Sequence, residues 1–248
     1  MAKKYELTDD TIRLGSHTLH RIKALVPIKR YGIKVGDLGG FIEKEDNLSH
    51  DDDAWVANDA KVCEGARIEG NALVCNNAVV SGNAIVCGHA EVRGNASIHD
   101  NVKISARASV GENAMIRNNV TISGKAIVRG KAELRGNVKV SSYAIIKGNV
   151  CVRGDAWISK NAEVDGNAVI CDDAKIFEVD DFVLLDNIGL FLSATTFFRT
   201  KDSKVIKVYN AGFFGTLDEY ESRSKTAIDK KRSVEGLMVV DLIKNHFK

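Results

Sequence analysis

Phenylalanine is missing from the middle of this chain. All nine lie outside residues 51–176, and eight fall in 177–247. That absence excludes a large aromatic core for the central segment, which must pack on Ala, Val and Ile. The only proline is Pro27. No stretch of 18 apolar residues occurs, so no membrane helix is expected. The opening MAKKYELTDD carries charge from the start and does not read as a signal peptide, and Met1, Ala2 and Lys3 do not fit a lipidation signal. The five cysteines are odd in number and form no CxxC pair, which points to reduced thiols and a cytoplasmic setting. Cys63, Cys75 and Cys87 fall on different sides of the repeat described below. Cys151 and Cys171 share one side but are expected to stay thiols.

Charge of one sign is also missing. The net charge is +2, and basic and acidic groups number 9 and 7 in residues 1–50, 15 and 15 in 51–176, and 11 and 11 in 177–248. No segment is a basic arm or an acidic tail, so bulk electrostatics suggest neither general nucleic-acid binding nor mimicry of nucleic acid. Motifs for familiar chemistries are absent as well: there is no Gly-rich phosphate loop, no GxSxG and no nucleophilic Cys with a placed His.

What is present is a repeat of six. From Asp51 the chain divides into 21 hexapeptides without insertion or deletion, from DDDAWV through SGNAIV and CGHAEV to CDDAKI. The sixth position is always Val, Ile or Leu. The fourth is Ala 17 times and Val four times, and the third is most often Asn or Asp. Positions four and six alternate inward about an outward fifth position, the period of a strand, and β-branched residues suit that surface. Gly followed by Asn or Asp supplies the turn, because these residues tolerate left-handed backbone.

Hexapeptide periodicity resembles the left-handed parallel β-helix family, in which three units make one triangular coil. The resemblance implies a mainly β protein with about seven coils of 18 residues over 51–176, a prism ~34 Å long at ~4.8 Å per coil. A solenoid needs its ends covered. Residues 1–50 read as an N-terminal cap. Leu19, Ile22, Leu25 and Val26 are its apolar strand positions, and Gly39-Gly40 marks close backbone approach or a bend. Residues 177–248 read as a small α+β cap. ATTFFRT and KVIKVYN are strands around Lys201-Asp202-Ser203. Thr216-Leu217-Asp218-Glu219 has the pattern of a capping box, and SVEGLMVVDLIKNHF is a terminal helix with apolar spacing at Val234, Leu237, Met238, Leu242 and Phe247.

A more specific likeness rests on LHRIKAL (19–25), VGDLGGFIEKEDNLS (35–49) and AWV (54–56) opening the array, with NIGLFLSATTFFRT (187–200) and AGFFGTLDEY (211–220) near the end. Together these resemble the YdcK-like group of bacterial and phage-borne hexapeptide proteins, across essentially the whole chain. Members carry an acyltransferase label by fold analogy, and the group offers no catalytic motif that transfers to numbered positions here.

Hexapeptide acyltransferases use a His base near an acyl-CoA held between prisms, with a loop that interrupts the repeat and roofs the acceptor. This array has no such loop. Its His residues are His89, at a turn, and His99, at an outward strand position, and these are the catalytic candidates if acyl transfer occurs. A zinc site needs three converging His, so no metal is expected.

Residues one coil apart stack on one face. His99, Arg117, Arg135 and Arg153 form one column, a candidate anion-binding stripe beside Glu133, the one carboxylate in the parallel outward column. A second face carries Ser105, Ser123, Ser141 and Ser159. The third carries Trp55, Leu73, Ile127 and Ile145, apolar enough to suggest a homotrimer of parallel prisms. The resulting expectation is a non-catalytic binding or scaffold protein of phage or mobile-element type, with no cofactor. Its faces or inter-subunit grooves would meet a host protein or a small anionic ligand. The alternative is an acyl-CoA-dependent acyltransferase.

Overall fold

The computed structural model describes residues 3–191, 193–202 and 204–248. Met1, Ala2, Leu192 and Ser203, the last residue of the expected Lys201-Asp202-Ser203 turn, lie outside the described residues.

Twenty-one two-residue strands, β4 (Trp55–Val56) to β24 (Lys175–Ile176), stack as a parallel β-solenoid. Every third strand pairs in parallel at a constant offset of three hexapeptides, as in Ser97↔Met115 and Met115↔Glu133. Two faces are seven-stranded ladders. The third is a ten-stranded sheet, because the N-terminal strands β1 (Tyr5–Leu14), β2 (His17–Ala24) and β3 (Leu38–Ile42) add to its lower edge. Each strand buries its sixth-position branched residue against the preceding fourth-position residue. Ala84, Val86, Ala96, Ile98, Val120 and Ile122 are among those fully buried. The core is therefore a column of small and branched side chains running the length of the rod.

The turn chemistry is stricter than composition suggests. The second position of all 21 hexapeptides, from Asp52 to Asp172, has positive φ. Glycine fills ten of these sites and suits the left-handed region without a steric cost. At Gly124 a Cβ would lie 2.6 Å from the backbone nitrogen of Ser142 in the next coil, so close stacking adds to the requirement. Third-position amides form hydrogen-bonded ladders along two corners. Asn83, Asn101, Asn119, Asn137 and Asp155 link at 2.8–3.2 Å, and Asn77, Asn95 and Asn113 do the same. This is why the third position favours Asn.

The coil count is roughly eight. Phe41↔Lys61, Ile42↔Val62 and the parallel bridge Leu48↔Ile68 place residues 41–48 as a further, incomplete turn beneath the array, at a longer offset than the array itself uses. The broken hexapeptide period hid it. Gly39 and Gly40 do mark close approach: a Cβ on either would lie 2.6 Å from a backbone oxygen, of Val56 and Ala60 respectively. In β2, Leu19 and Ile22 are buried as expected. Leu25 and Val26 are not, since the strand ends at Ala24 and the chain turns outward. Trp55, read as an outward residue, is fully buried, because the N-terminal segment with Tyr5 covers this end of its face.

Above the top coil, β25 (Phe182–Leu185), β26 (Thr195–Arg199), β27 (Ile206–Asn210) and β28 (Phe213–Thr216) form an antiparallel sheet. Phe198 joins the solenoid core from this sheet, and Ala174 bridges to Thr200. The helix α1 (Leu217–Thr226) begins at the expected capping box: the Glu219 amide donates to Thr216 Oγ1 at 3.2 Å, and the Thr216 amide donates to Glu219 Oε2 at 2.7 Å. The helix α2 (Lys230–His246) is present, but its buried face is Gly236, Val239, Val240 and Ile243. Of the expected apolar positions Phe247 is buried, whereas Val234, Met238 and Leu242 point outward. Gly236 decides the orientation, since it lets α2 approach the buried Ser224 of α1 so closely that a Cβ would overlap the hydroxyl. Among the described residues no helix is long and apolar enough to cross a membrane.

Candidate functional site

On the ten-stranded face the solenoid places Cys63, Ser81, His99, Arg117, Arg135, Arg153 and Cys171 in one vertical row, with Ser97, Met115, Glu133 and Cys151 in the row beside it. The register puts neighbours in a row one coil apart, ~4.8 Å. The structure thus brings His99, Arg117, Arg135 and Arg153 together as a column, and it shows what each touches.

His99 is clamped by two hydroxyls. Ser81 Oγ lies 2.7 Å from Nδ1 and Ser97 Oγ 2.5 Å from Nε2. Each hydroxyl can donate or accept, so the two serines fix the plane of the ring. Sequence reasoning named His99 but not its serines. The signal was there, since Ser81 stands one coil below His99 and Ser97 is its neighbour on the same strand edge. Both ring nitrogens are engaged, so His99 reaches any further group only after a serine hydroxyl turns away.

Arg117 and Arg135 converge on one carboxylate. Arg117 Nη2 bonds Glu133 Oε1, and Arg135 Nη1 lies 3.7 Å from the same oxygen. The three side chains are each about a third exposed or more, so this pairing is a solvent-screened cluster of modest strength. Two guanidiniums against one carboxylate leave a net positive charge on the face. Arg153 is held apart from that cluster. Its guanidinium lies 4.9 Å from the Tyr209 ring of β27, and the Cys171 thiol beside it interacts with it. The upper end of the expected stripe therefore serves the junction with the C-terminal sheet.

His89 is not part of this arrangement. It sits exposed at a corner between the other two faces. The histidines in the caps have local partners: His17 Nδ1 meets Glu43 Oε1 at 2.8 Å, which raises its pKa, His20 Nδ1 meets the Thr8 carbonyl at 3.1 Å, His50 Nδ1 accepts from the Lys4 amide at 3.1 Å, and His246 Nε2 meets the Asp180 carbonyl at 2.9 Å. All five cysteines are free thiols. Burial pushes Cys63 up to about 11 and raises Cys151 and Cys171, with Arg153 opposing the rise at Cys171. They are thiols at neutral pH and poor nucleophiles. Among the described residues no group of three or more His, Cys, Asp or Glu is placed to hold a metal ion.

Hollows lie at both ends of the rod. One of about 650 Å³ at the base is lined by Glu45, Asp46, Asp51, Asp52 and Glu69. Another, of about 500 Å³, has Arg199, Lys204, Lys244 and Lys248 around an apolar floor of Ile206, Leu217 and Phe247. Arg199 and Lys244 are already ion-paired there, with Asp181 and Glu221. Comparison with protein-family models and with curated proteins finds no match to this chain, and its function rests on the geometry of its own residues.

Proposed function

We propose that the chain is a non-catalytic binding scaffold, a stiff rod that presents ordered rows of side chains to a partner. The observation that carries this reading is the Arg117–Glu133–Arg135 cluster beside the serine-held His99. Uninterrupted coils fix these groups in register, so an anion meets donors that are already oriented. Two guanidiniums with a single shared carboxylate suit a phosphate or carboxylate group on a small ligand or a partner surface. The likeness to phage-borne hexapeptide proteins fits a partner of host or mobile-element origin.

The test is calorimetric titration of the protein with inorganic pyrophosphate at low salt. The double substitution Arg117→Ala and Arg135→Ala abolishes binding while thermal unfolding stays where it was. Unchanged affinity in that variant overturns the assignment to this face.

A second reading has one observation in its favour. His99 Nε2 lies 2.5 Å from a hydroxyl, the relation a general base has to an acceptor. An acyl-CoA-dependent transferase would use His99 in that role, and its mark is turnover lost in His99→Ala.

A further inference from the structure

Cations on the solenoid are partnered unevenly. Arg117 and Arg135 share Glu133, Arg93 faces Glu91, and Lys147 bonds Glu163 and Asp165. The face built on the ladder from Arg67–Ile68 to Lys175–Ile176 differs. Over the five coils that begin at Ile85, Lys103, Thr121, Lys139 and Trp157, its outward rows and following corner hold Lys103, Arg107, Lys125, Lys139 and Lys160, and no carboxylate. Lys103, Arg107, Lys125 and Lys139 are exposed and have no ion pair among the described residues; Lys160 reaches Glu178 at 3.7 Å. Beyond the corner the middle coils present Ser109, Ile127 and Ile145, again uncharged. On the opposite side, Asp100 and Asp155 are occupied by the amides of Asn118 and Asn137.

The surface has a shape as well as a sign. Lys103 and Lys139 flank one side of the serine row, and Arg107 and Lys125 flank the other. Four residues separate the two sides, a span of at most ~13 Å. The row between them is a shallow floor of hydroxyls in which Ser141 Oγ and Ser159 Oγ lie 2.8 Å apart. Aromatic rings stand among the cations. Tyr143 is 58% exposed with Lys125 Nζ 5.0 Å from its ring centre. Trp157 is 41% exposed, edge-on to Phe177 at 5.0 Å, and its indole N–H donates to Ser141 Oγ at 3.3 Å. A polar floor, a cation on either side and exposed rings are what an extended polyanion with flat bases requires, phosphates to the lysines and bases to the rings. A duplex has its bases already stacked and gives Tyr143 and Trp157 nothing to do.

We infer that this face binds single-stranded nucleic acid along the rod axis, through Lys103, Arg107, Lys125 and Lys139, with Tyr143 and Trp157 as stacking platforms. The inference rests on the scaffold reading and names one partner class for a different face. A net charge of +2 conceals such a surface because the carboxylates lie elsewhere.

The chain has two tryptophans, and only Trp157 reaches solvent, so intrinsic fluorescence reports on this face. The experiment titrates the full chain with oligo(dT) of about 20 nucleotides at several salt concentrations. Saturable quenching is expected, with affinity falling as salt rises at a log–log slope of about −3, given ~0.7 per phosphate contact. Lys103→Glu with Lys139→Glu removes the quenching, and Tyr143→Ala weakens binding about thirtyfold, the middle of the range for one stacked base. All these positions are exposed, and unaltered thermal unfolding certifies the variants. Absence of quenching, or quenching that survives the double charge reversal, overturns the inference. So does equal or tighter binding of a sulfated polysaccharide through the same lysines, which leaves the scaffold reading standing with another partner. The pyrophosphate titration on the arginine face fails or succeeds independently of all three results.

Discussion

At the scale of single residues, the base of the rod depends on a buried cation. Lys4 is almost wholly enclosed, and its ammonium donates to the carbonyls of Asp51, Asp52 and Ala54 at 3.3, 3.2 and 2.8 Å. Burial lowers its pKa from 10.5 to about 8, against the opposing pull of Asp53, Asp52 and Asp51. Between pH 8 and 10 the unfolded chain therefore binds more protons at this site than the folded one, so stability rises with pH across that window. Below pH 8 the effect is complete and flat. Denaturant midpoints measured from pH 7 to 10 should show this rise in the wild type and lose it in Lys4→Met. An equal slope in both proteins would mean that Lys4 titrates normally. Nothing in the sequence marks Lys4 as buried; it reads as one of several charges in MAKKYELTDD, and only its contact with the distant segment Asp51–Ala54 gives it a role. His99, by contrast, was visible from its outward register, and its two serines were visible from the same coil arithmetic.

At the scale of elements, repetition decides what can be read. A strand of two residues has little propensity of its own, yet 21 of them in phase over-determine the solenoid, and the positions of Ala84, Val86 and their equivalents follow without ambiguity. The terminal helix has no such redundancy. Val234, Met238 and Leu242 form an apolar stripe at i, i+4, i+8 that competes with Val239, Val240 and Ile243, and spacing alone does not choose between them. The deciding residue is a glycine, which hydropathy counts as nothing, and its reason is packing against Ser224. Gly236→Val is expected to destabilise the fold by about 1–3 kcal/mol through overpacking, while Met238→Ala on the exposed stripe changes stability by less than about 0.5 kcal/mol. Chemical denaturation of the two variants checks the pair, and the reverse order would place the core on the other face. The incomplete turn at 41–48 escaped for a related reason: its longer offset breaks the period that made the rest legible.

At the scale of the molecule, the arginine face pairs Arg117 and Arg135 with Glu133, while the serine-row face carries four exposed cations with no ion pair among the described residues. The arginine column, the serine row with its lysines and the outward third face are each ordered by the same coil rise, which is what a scaffold needs in order to meet an extended or repetitive partner. Burial of Trp55 removes one of the apolar groups that pointed to packing between prisms, and leaves Ile127 and Ile145 as the outward apolar residues at the centre of that face. The central claim is that these faces bind and do not catalyse. Native mass spectrometry of the protein purified gently from the cells that make it tests this most directly, because subunit number and retained ligand are read together. The account predicts an assembly that carries an anionic or nucleic-acid adduct, lost when Arg117 and Arg135 or Lys103 and Lys139 are replaced. A coenzyme A-sized adduct that disappears when an acceptor is added, and persists in His99→Ala, would contradict it.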